Sequence, residues 1–410
     1  MRKHVKLGDI ANIYSGGTPS RTKPNFWGGN IPWVKTTQIQ NCVITEKDVD
    51  EWITPEGMKK SSAKMVPRGT ILMAMYGQGK TRGQVAVLGI DATINQACAA
   101  IIVKDSADSN YIYQQLLYRY SSIRNLSNTG SQENLNSALI KSIAFSLPDL
   151  ISQKNIAILL SIWDRAIDKA GRLIAVKEKK FVSLSNRCLF GGNPLTMDVS
   201  KNTRWFSVPA HWKIVRIGSV AKEVKSTNGS VKKIPVLSCT KYDGLVDSLT
   251  YFDKQIFSVD RSNYKVVSRG QFAYATNHIE EGSIGYQELY EKGLVSPMYT
   301  VFQTDNSIDD TYLYQVLKTN IYLHIFRVNT SSSVDRRGSL RWKEFAKLPV
   351  PLPPMNEQKK ISTLLKTARQ EIDFLKKQLE AYRQQKRGLM QKLLTGQWRV
   401  KIKEEHIGNG

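Results

Sequence analysis

The stretch "LPPMNEQKKISTLL", Leu352–Leu365, decides the architecture of this chain, because a similar stretch, "LPDLISQKNIAILL", occupies Leu147–Leu160. Matched positions in the two stretches are 205 residues apart throughout. In both stretches a Leu-Pro pair precedes a run whose apolar residues recur at helical spacing. A phrase that returns half a chain later indicates an internal repeat. The repeat therefore predicts two similar halves, each ending in a helix.

The apolar residues after each Leu-Pro pair are separated by alternating steps of four and three residues. This spacing is the heptad seam of a coiled coil, and it keeps the same register in both copies. Each seam also contains one lysine, Lys177 or Lys386, which either fixes the pairing register or extends its amine to solvent at a loose helix end. We predict that the two helices pair along these seam residues: Ile156, Leu160, Trp163, Ile167, Ile174, Phe181, Leu184, Ile361, Leu365, Ile372, Leu375, Leu379, Tyr382, Leu389 and Leu393.

Two seams of equal register in one chain can pair in parallel or antiparallel. We predict an intramolecular antiparallel coiled coil, because that pairing relates the halves by a pseudo-two-fold axis and puts the preceding globular domains at opposite ends. Each helix then extends on the order of 50 Å, at about 1.5 Å per residue. A turn of B-DNA is roughly 34 Å long, so both domains could reach the same face of a duplex.

A fainter repeat precedes the helices. Val5–Ala11 matches Val215–Ala221, and Tyr111–Leu117 matches Tyr312–Lys318. Short β-branched runs broken by Gly, Pro and Asn predict strands and turns between these matches. We therefore predict a mixed α/β (α+β) fold with two globular domains per chain, separated by long helices. The predicted segments are a first globular domain at 1–150, a first coiled-coil helix at 151–192, a linker at 193–204, a second globular domain at 205–354, a second coiled-coil helix at 355–397 and a C-terminal tail at 398–410.

The charge of the chain indicates its class of partner. The 410 residues include 59 Lys and Arg against 35 Asp and Glu, a formal net charge of +24. Such a field attracts polyanions, so nucleic acid is the leading partner class and an anionic membrane surface is the rival. No apolar run has spanning length, and the first residues lack the apolar core of a signal peptide. We expect no membrane association and a cytoplasmic location.

The sequence shows no pattern typical of a metal site. Cys42, Cys98, Cys188 and Cys239 are scattered without a Cys-x-x-Cys pair, which argues against a disulfide framework and a structural zinc site. The histidines do not approach one another at metal-ligand spacing along the chain. We predict reduced thiols and no metal.

The nearest approach to an enzyme motif is "AMYGQGKT", Ala74–Thr81, which ends like a phosphate-binding loop. Its first glycine is replaced by Ala74, and the residues that follow Thr81 predict a strand, whereas a phosphate-binding loop needs a helix N-terminus there. A hairpin tip directed towards DNA is the better interpretation of the same residues.

Reading bases requires Arg, Lys, Asn or Gln at groove depth, so loops rich in these residues are the candidates. For any one of them the alternatives are a phosphate contact or a solvated loop side chain. "FWGGNIPW", Phe26–Trp33, is either a stacking surface or a set of aromatic residues that support a turn. The predicted DNA-binding residues are Lys35, Thr37, Gln38, Gln78, Lys80, Thr81, Arg82, Ser131, Gln132 and Asn134 in the first half, and Lys241, Tyr242, Thr276, Asn277, His278, Arg336, Arg337 and Arg341 in the second.

Three phrases carry a resemblance to a known family: "LPPMNEQKKI" at the start of the second helix, "LMQKLLTG" (Leu389–Gly396) at its end, and "TINQACAAI" (Thr93–Ile101). Together with the order of domain, helix, domain and helix, they resemble the specificity subunit of Type I restriction-modification enzymes. The first helix departs from the pattern, because "DLISQKNI" lacks the glutamate present at Glu357 and "NRCLFGG" replaces "QKLLTGQ".

The resemblance implies a subunit that catalyses nothing and binds no cofactor itself. Each globular domain would be a target-recognition domain that reads one half of a bipartite, asymmetric site in double-stranded DNA. The helices would dock two modification (methyltransferase) subunits, and restriction subunits would complete the complex. S-adenosylmethionine, ATP and Mg would belong to those partners. The alternatives are a coiled-coil adaptor without DNA specificity and a nucleotide-dependent enzyme that uses Lys80.

Overall fold

The computed structural model describes residues 2–77, 79–126, 134–191, 200–229, 234–330 and 338–400. The chain forms two compact units. The first unit is made of Met1–Arg172 and Lys377–Gly410, and the second unit is Leu173–Lys376. Each unit therefore contains one globular domain, a segment of the helix that follows it, and a segment of the other helix. Below, the first domain is the part before residue 150 and the second domain is the part between residues 200 and 354.

The first domain alternates short strands with short helices. Its strands are β1 (Lys3–Lys6), β2 (Ala11–Ser15), β3 (Trp27–Val34), β4 (Val43–Ile44), β5 (Trp52–Ile53), β6 (Ile71–Ala74), β7 (Val85–Leu88), β8 (Thr93–Ile94), β9 (Cys98–Val103) and β10 (Ala144–Leu147). Its helices are α1 (Leu7–Ile10), α2 (Pro55–Lys59), α3 (Ser109–Tyr118), α4 (Tyr120–Arg124) and α5 (Ser137–Lys141), followed by the long helix α6 (Leu150–Phe190). Three 3₁₀ turns lie at Pro24–Phe26, Thr36–Gln38 and Glu46–Asp48.

The second domain repeats this order with different insertions. Its strands are β11 (Ser200–Asn202), β12 (Ser207–Pro209), β13 (Lys213–Arg216), β14 (Ala221–Val224), β15 (Leu237–Thr240), β16 (Gly244–Asp247), β17 (Lys265–Ser268), β18 (Phe272–Ala275), β19 (Ile284–Tyr286), β20 (Lys292–Val295), β21 (Tyr299–Thr304) and β22 (Pro349–Leu352). Its helices are α7 (Ser248–Phe252), α8 (Asp310–Leu317), α9 (Asn320–Asn329) and α10 (Trp342–Phe345), followed by α11 (Met355–Thr395). Two 3₁₀ turns lie at Ile217–Ser219 and Ile279–Glu281. Part of the predicted linker is thus a strand, since β11 pairs with β12.

The central sheets of the two domains share four strands in the same order, and the first sheet has β4 in addition. The first has the strand order β2-β9-β6-β7-β4 and the second has the order β14-β21-β18-β19. In the first sheet β6 pairs with β9 and forms a hairpin with β7. In the second sheet β18 pairs with β21 and forms a hairpin with β19. In the first domain β1 pairs with the last strand, β10, and in the second domain its counterpart β13 pairs with the last strand, β22. Each helix therefore leaves its domain from an equivalent strand.

A glutamine common to both repeated phrases joins each helix to its domain. The side-chain oxygen of Gln153 accepts from the backbone N–H of Asp108 at 2.9 Å, and its amide donates to the carbonyl of Pro148. Gln358 makes the equivalent bonds, from the N–H of Asp309 at 2.7 Å and to the carbonyl of Pro353. Both glutamines are almost fully buried, at 2% and 1% exposed. The phrase occurs twice because both joints need the same side chain.

The aspartates at these joints are also helix N-caps. Asp108 accepts from the N–H of Tyr111 and Asp309 accepts from the N–H of Tyr312, each at 2.8 Å. A cap of this kind stabilises a helix by about 1 kcal/mol. The capped tyrosines are fully buried in the two main cores.

The two helix starts differ where the sequence differs. Glu357 accepts from the indole N–H of Trp212 at 2.9 Å and lies 3.1 Å from the ring nitrogen of His211. Its counterpart, Ser152, instead donates its N–H and hydroxyl to Asp149. The missing glutamate of the first helix is therefore replaced by a local turn, and the helix start is retained.

Within each unit the two helix segments run antiparallel. In the first unit, Ile156 and Leu160 share a core with Met390 and Leu393, and further along α6 the ring of Trp163 meets that of Tyr382. In the second unit, the Nζ of Lys177 lies 2.6 Å from a carboxylate oxygen of Glu371, and the ring of Phe181 lies under Arg369. Each predicted seam residue is buried or half-buried. The predicted fold class, two mixed α/β domains each followed by a long helix, is confirmed.

Candidate nucleic-acid interface

The β6–β7 hairpin holds the first group of predicted DNA-binding residues. Lys80 is exposed and Thr81 is half-buried, whereas Arg82 is buried with only 8% of its surface exposed. Thr81 is followed by the strand β7, so no helix N-terminus is available to hold a phosphate there. The hairpin interpretation of this segment is therefore preferred over the nucleotide-binding one. Gln78 lies outside the described residues.

A second chain segment returns to each hairpin and is held there by the backbone. The N–H of Leu135 donates to the carbonyl of Met75 at 3.0 Å, and the N–H of Leu340 donates to the carbonyl of Thr276 at 2.8 Å. These bonds place half-buried Asn134 beside the first hairpin and exposed Arg341 beside the second. The other predicted residues of these segments, Ser131, Gln132, Arg336 and Arg337, lie outside the described residues.

The β18–β19 loop carries three predicted residues of the second domain. Thr276 donates its hydroxyl to the carbonyl of Met298 at 2.9 Å, and Asn277 is half-buried. His278 is exposed, and its Nδ1 lies 3.3 Å from a carboxylate oxygen of Glu281. Thr276 is therefore held by the fold, while Asn277 and His278 lie at the accessible tip.

The turn between β15 and β16 presents the most exposed aromatic side chain of this surface. Tyr242 is 79% exposed, and the Nζ of Lys241 lies 5.2 Å from the centre of its ring. An exposed ring beside an amine suits stacking on a base together with attraction to phosphate. The ammonium group of Lys318 donates to the carbonyl oxygens of both this turn and the β18–β19 loop, so the two lie side by side.

The predicted group at Lys35, Thr37 and Gln38 is bound mostly inside its own domain. The Nζ of Lys35 lies 2.6 Å from Glu51 and 3.0 Å from Asp50, and its hydrogen bond to Glu51 raises the pKa of the amine. Gln38 donates to the carbonyl of Asp48 and to the carboxylate of Asp50, both at 2.8 Å. Thr37 alone is exposed. A lysine neutralised by two carboxylates attracts phosphate weakly, so this loop contributes less than its composition indicates.

The aromatic residues near this loop support a turn and are not a stacking surface. The indole N–H of Trp33 donates to the carbonyl of Gly17 at 2.9 Å, and that of Trp27 donates to the carbonyl of Ser20 at 3.1 Å. The guanidinium of Arg21 lies 3.7 Å from the ring centre of Trp27 and 2.6 Å from Glu51. We call the group of Arg21, Trp27, Trp33 and Glu51 the tryptophan latch. Arg21 was not predicted to belong to this group, because nothing local in the sequence shows that it folds back over the rings.

One group of possible metal ligands appears within the described ranges. Ligand atoms of His278, Glu280 and Glu281 all lie within 4.8 Å of one another in the β18–β19 loop. The spacing His-x-Glu-Glu could have drawn attention to them. Exposed carboxylates often lie together without an ion. The cluster therefore shows only that the β18–β19 loop carries two acidic side chains beside His278.

Further observations bear on membranes and thiols. Across the described ranges, no helix combines the length and the apolar character needed to cross a bilayer. The four cysteines are free thiols. Burial raises the pKa of Cys239 to about 12, so this thiol is unreactive at neutral pH.

Comparisons with known proteins agree with this architecture. The family model described as "Type I restriction modification DNA specificity domain" matches residues 2–178 and again residues 209–381. The MjaIX specificity subunit of a Type I restriction enzyme from Methanocaldococcus jannaschii is 26% identical over 234 residues, which cover 56% of this chain and 54% of that protein. The chain thus spans about half the length of this relative. The putative MjaX specificity subunit from the same organism is 22% identical over 417 residues, 97% of this chain and 93% of that protein.

The fold is also found among solved structures. The crystal structure of a Type I restriction-modification S subunit from M. genitalium matches with a TM-score of 0.60 over 96% of both chains, at 15% identity. The resemblance predicted from the sequence is confirmed by the two matches to the family model, which together cover most of the chain. The chain belongs to the family of the Type I restriction modification DNA specificity domain, and it contains that domain twice.

Proposed function

We propose that this chain is the DNA-recognition subunit of a Type I restriction-modification complex. Each domain reads one half of a bipartite, asymmetric site in double-stranded DNA. The chain itself is non-catalytic and directs adenine methylation or restriction by partner subunits. Those partners are two modification (methyltransferase) subunits and restriction subunits, which bring S-adenosylmethionine, ATP and Mg.

The observation that carries this proposal is the pair of equivalent hairpins with different side chains. The β6–β7 tip presents Lys80 and Thr81, and the β18–β19 tip presents Asn277 and His278 on the same scaffold. Two copies of one frame with different polar tips suit the reading of two different sequences. The net charge of +24 supplies the attraction to phosphate that such reading requires.

The outer face of α6 supports a role in protein docking. Ile151, Ile158 and Ile162 are exposed and lie at seven- and four-residue spacing on one side of the helix in the first unit. An apolar stripe that faces solvent is typical of a surface that binds another protein. The modification subunits are the partners we propose for it.

The proposal is tested by mapping methylated adenine in the host genome by single-molecule sequencing, with this gene intact, deleted and restored. We expect one bipartite motif to disappear on deletion and to return on restoration. A matched control restores the gene with Lys222→Met, which removes an exposed positive charge on the edge strand β14. If no motif changes although the chain is expressed, the proposal is wrong.

A coiled-coil adaptor without DNA specificity is the competing function. Binding of the full chain to duplex DNA separates the two, because contacts to phosphate weaken steeply as salt rises. We expect affinity to fall at least tenfold between about 50 and 200 mM salt. No binding at low salt would favour the adaptor.

A further inference from the structure

A lysine beneath the second domain's candidate surface holds two loops together. Lys318 is the C-cap residue directly after α8, and its ammonium group donates to three carbonyl oxygens. These are the oxygens of Lys241 at 2.7 Å, Gly282 at 2.9 Å and Ile284 at 3.5 Å. The first belongs to the β15–β16 turn and the other two to the β18–β19 hairpin. One side chain therefore joins the two loops that present Tyr242, Asn277 and His278.

Lys318 is placed to organise the protein and not to touch DNA. Its three N–H groups are directed at backbone oxygens, and burial lowers the pKa of its amine. The turn packs closely on the same helix, since a Cβ at Gly244 would lie 2.4 Å from the hydroxyl of Tyr314. Tyr314 precedes Lys318 by one helical turn, so the two side chains form a single support for the loop.

The first domain has no lysine at the equivalent position. Aligning "YIYQQLL" with "YLYQVLK" places Leu117 at the position of Lys318. Leu117 packs against the first core as a partly buried apolar residue. The lysine was visible in the sequence as the one cation in the repeated phrase, but its role depends on carbonyl groups that are distant along the chain.

We propose that Lys318 is a positioning residue for half-site reading by the second domain: it couples the β15–β16 turn to the β18–β19 loop so that both present their side chains as one surface. This inference rests on the proposed function and adds a residue that controls one half-site alone. The half-site read by the first domain is independent of it.

The structural part is tested by hydrogen exchange on the full chain. In Lys318→Met the side chain keeps its length but loses the donors, so amides at 240–244 and 276–284 are expected to exchange faster. The Lys222→Met control should leave both segments unchanged, and circular dichroism should show that both variants are folded. Unchanged exchange in the two segments of Lys318→Met would overturn the inference, whatever the chain binds.

The reading part is tested by methylation mapping after restoring the gene with each variant. We expect Lys318→Met to relax base preference in one half-site, with methylation at single-mismatch sites rising about tenfold, because losing a hydrogen bond to a charged group costs that order of discrimination. The other half-site should stay strict. Equal relaxation of both half-sites would contradict a role limited to the second domain.

Salt dependence of duplex binding distinguishes positioning from direct contact. A lysine that contacts phosphate weakens binding to all sequences and reduces the salt slope by about one when removed. For Lys318→Met we expect an unchanged slope and a loss confined to the cognate site. A wild-type chain that directs no motif would overturn the proposed function and the reading role with it, while the exchange data would still show whether Lys318 joins the loops.

Discussion

Within each unit two helix segments pair, and at equivalent positions the two units use different side-chain contacts. In the first unit, the Nζ of Lys386 lies 2.5 Å from a carboxylate oxygen of Asp164. The offset of 205 residues maps Asp164 to Arg369 and maps Phe181 to Lys386. In the second unit Arg369 indeed lies over the ring of Phe181, at 4.3 Å from its centre. An ion pair in one unit thus corresponds to a cation on an aromatic ring in the other.

At a second pair of equivalent positions the ion pair lies in the second unit and the aromatic contact lies in the first. The second unit pairs Lys177 with Glu371, whereas in the first unit the residue equivalent to Lys177 is Tyr382, which packs edge-on against Trp163. The seam lysines are therefore not equivalent to each other, and each lies opposite an acid. Fixing the register is the role the structure supports for both, in place of a loose helix end.

The same offset shows how each helix would pair with its own copy in a second chain. Antiparallel pairing of α11 with α11 in this register would put Arg369 opposite Lys386, two like charges. Pairing of α6 with α6 would leave Asp164 opposite Phe181. Of these three antiparallel pairings in the same register, the pairing of α6 with α11 satisfies both sites. By contrast, a buried glutamine bonds the same two backbone positions at the joint in both units, so the repeated phrase specifies attachment and the seam specifies the partner helix.

The glutamine joints offer the largest expected effect. Gln358→Ala removes the partner of the Asp309 N–H and of two carbonyls that Gln358 now bonds. Because buried polar groups without partners cost about 1–3 kcal/mol each, we expect about 3 kcal/mol of local destabilisation. Hydrogen exchange of the first turns of α8 and α11 measures it.

Gln153→Ala is the matched test in the first unit, and it should destabilise α3 and the start of α6 by a similar amount. If one variant is strongly destabilised and its counterpart is unaffected, the two joints are not equivalent and the comparison fails.

The ion pair of the first unit offers the next effect. Asp164→Ala leaves the ammonium of Lys386, which is 10% exposed, without its acid, although Asp164 itself is 42% exposed and solvent lessens the loss. We expect about 2 kcal/mol of destabilisation, below the 3–5 kcal/mol typical of fully buried pairs. Hydrogen exchange at residues 156–168 and 380–393 measures this destabilisation.

Lys386→Met provides the contrast, because it places an apolar side chain where the second unit has Phe181. We expect its stability to lie within about 1 kcal/mol of wild type. A loss as large as that of Asp164→Ala would mean that the pair itself, and not the unpaired charge, stabilises the seam.

Much of this arrangement was predictable from the sequence, for physical reasons. Heptad spacing reports burial directly, so residues such as Leu160 and Leu365 identified the seam without a structure. The loops were harder, because Lys35 and Lys80 look alike in a sequence, yet Lys35 is neutralised by acids that follow it by fifteen residues or more. Arg82 was assigned to the surface from its place in a turn, and tertiary packing buries it. Contacts between residues distant along the chain, such as those of Lys318, leave no local pattern.

The cation on the ring in the second unit offers a smaller effect. Arg369 is exposed, so Arg369→Ala should cost about 0.5–1 kcal/mol, the usual contribution of an exposed cation over an aromatic ring. Arg369→Lys keeps the charge and should recover part of the loss. Exchange at 177–184 measures both variants. A loss equal to that of Asp164→Ala would show that the two seam sites are energetically alike despite their chemistry.

The side chains that support the loops also differ in charge between the domains, since the first uses the carboxylate of Glu51 and the second uses the ammonium of Lys318. This difference gives the smallest effect. Burial alone would raise the pKa of Glu51, but hydrogen bonds from Arg21 and Lys35 outweigh it and hold the pKa below its ordinary value of 4.5. A carboxylate with a lowered pKa in the folded state stabilises the fold above pH 4.5, and this contribution is lost as pH falls through the lowered value. We expect Glu51→Gln to speed hydrogen exchange at 17–27, around the tryptophan latch. The free energy of local opening should fall by less than about 1 kcal/mol at pH 7. The difference between the wild type and the variant, compared at equal pH, should shrink as pH falls below 4.5, while 240–244 in the second domain should show no difference at any pH. A difference that stays undiminished at a pH low enough to protonate Glu51 in the folded protein would show that the shape of Glu51, and not its charge, supports the latch.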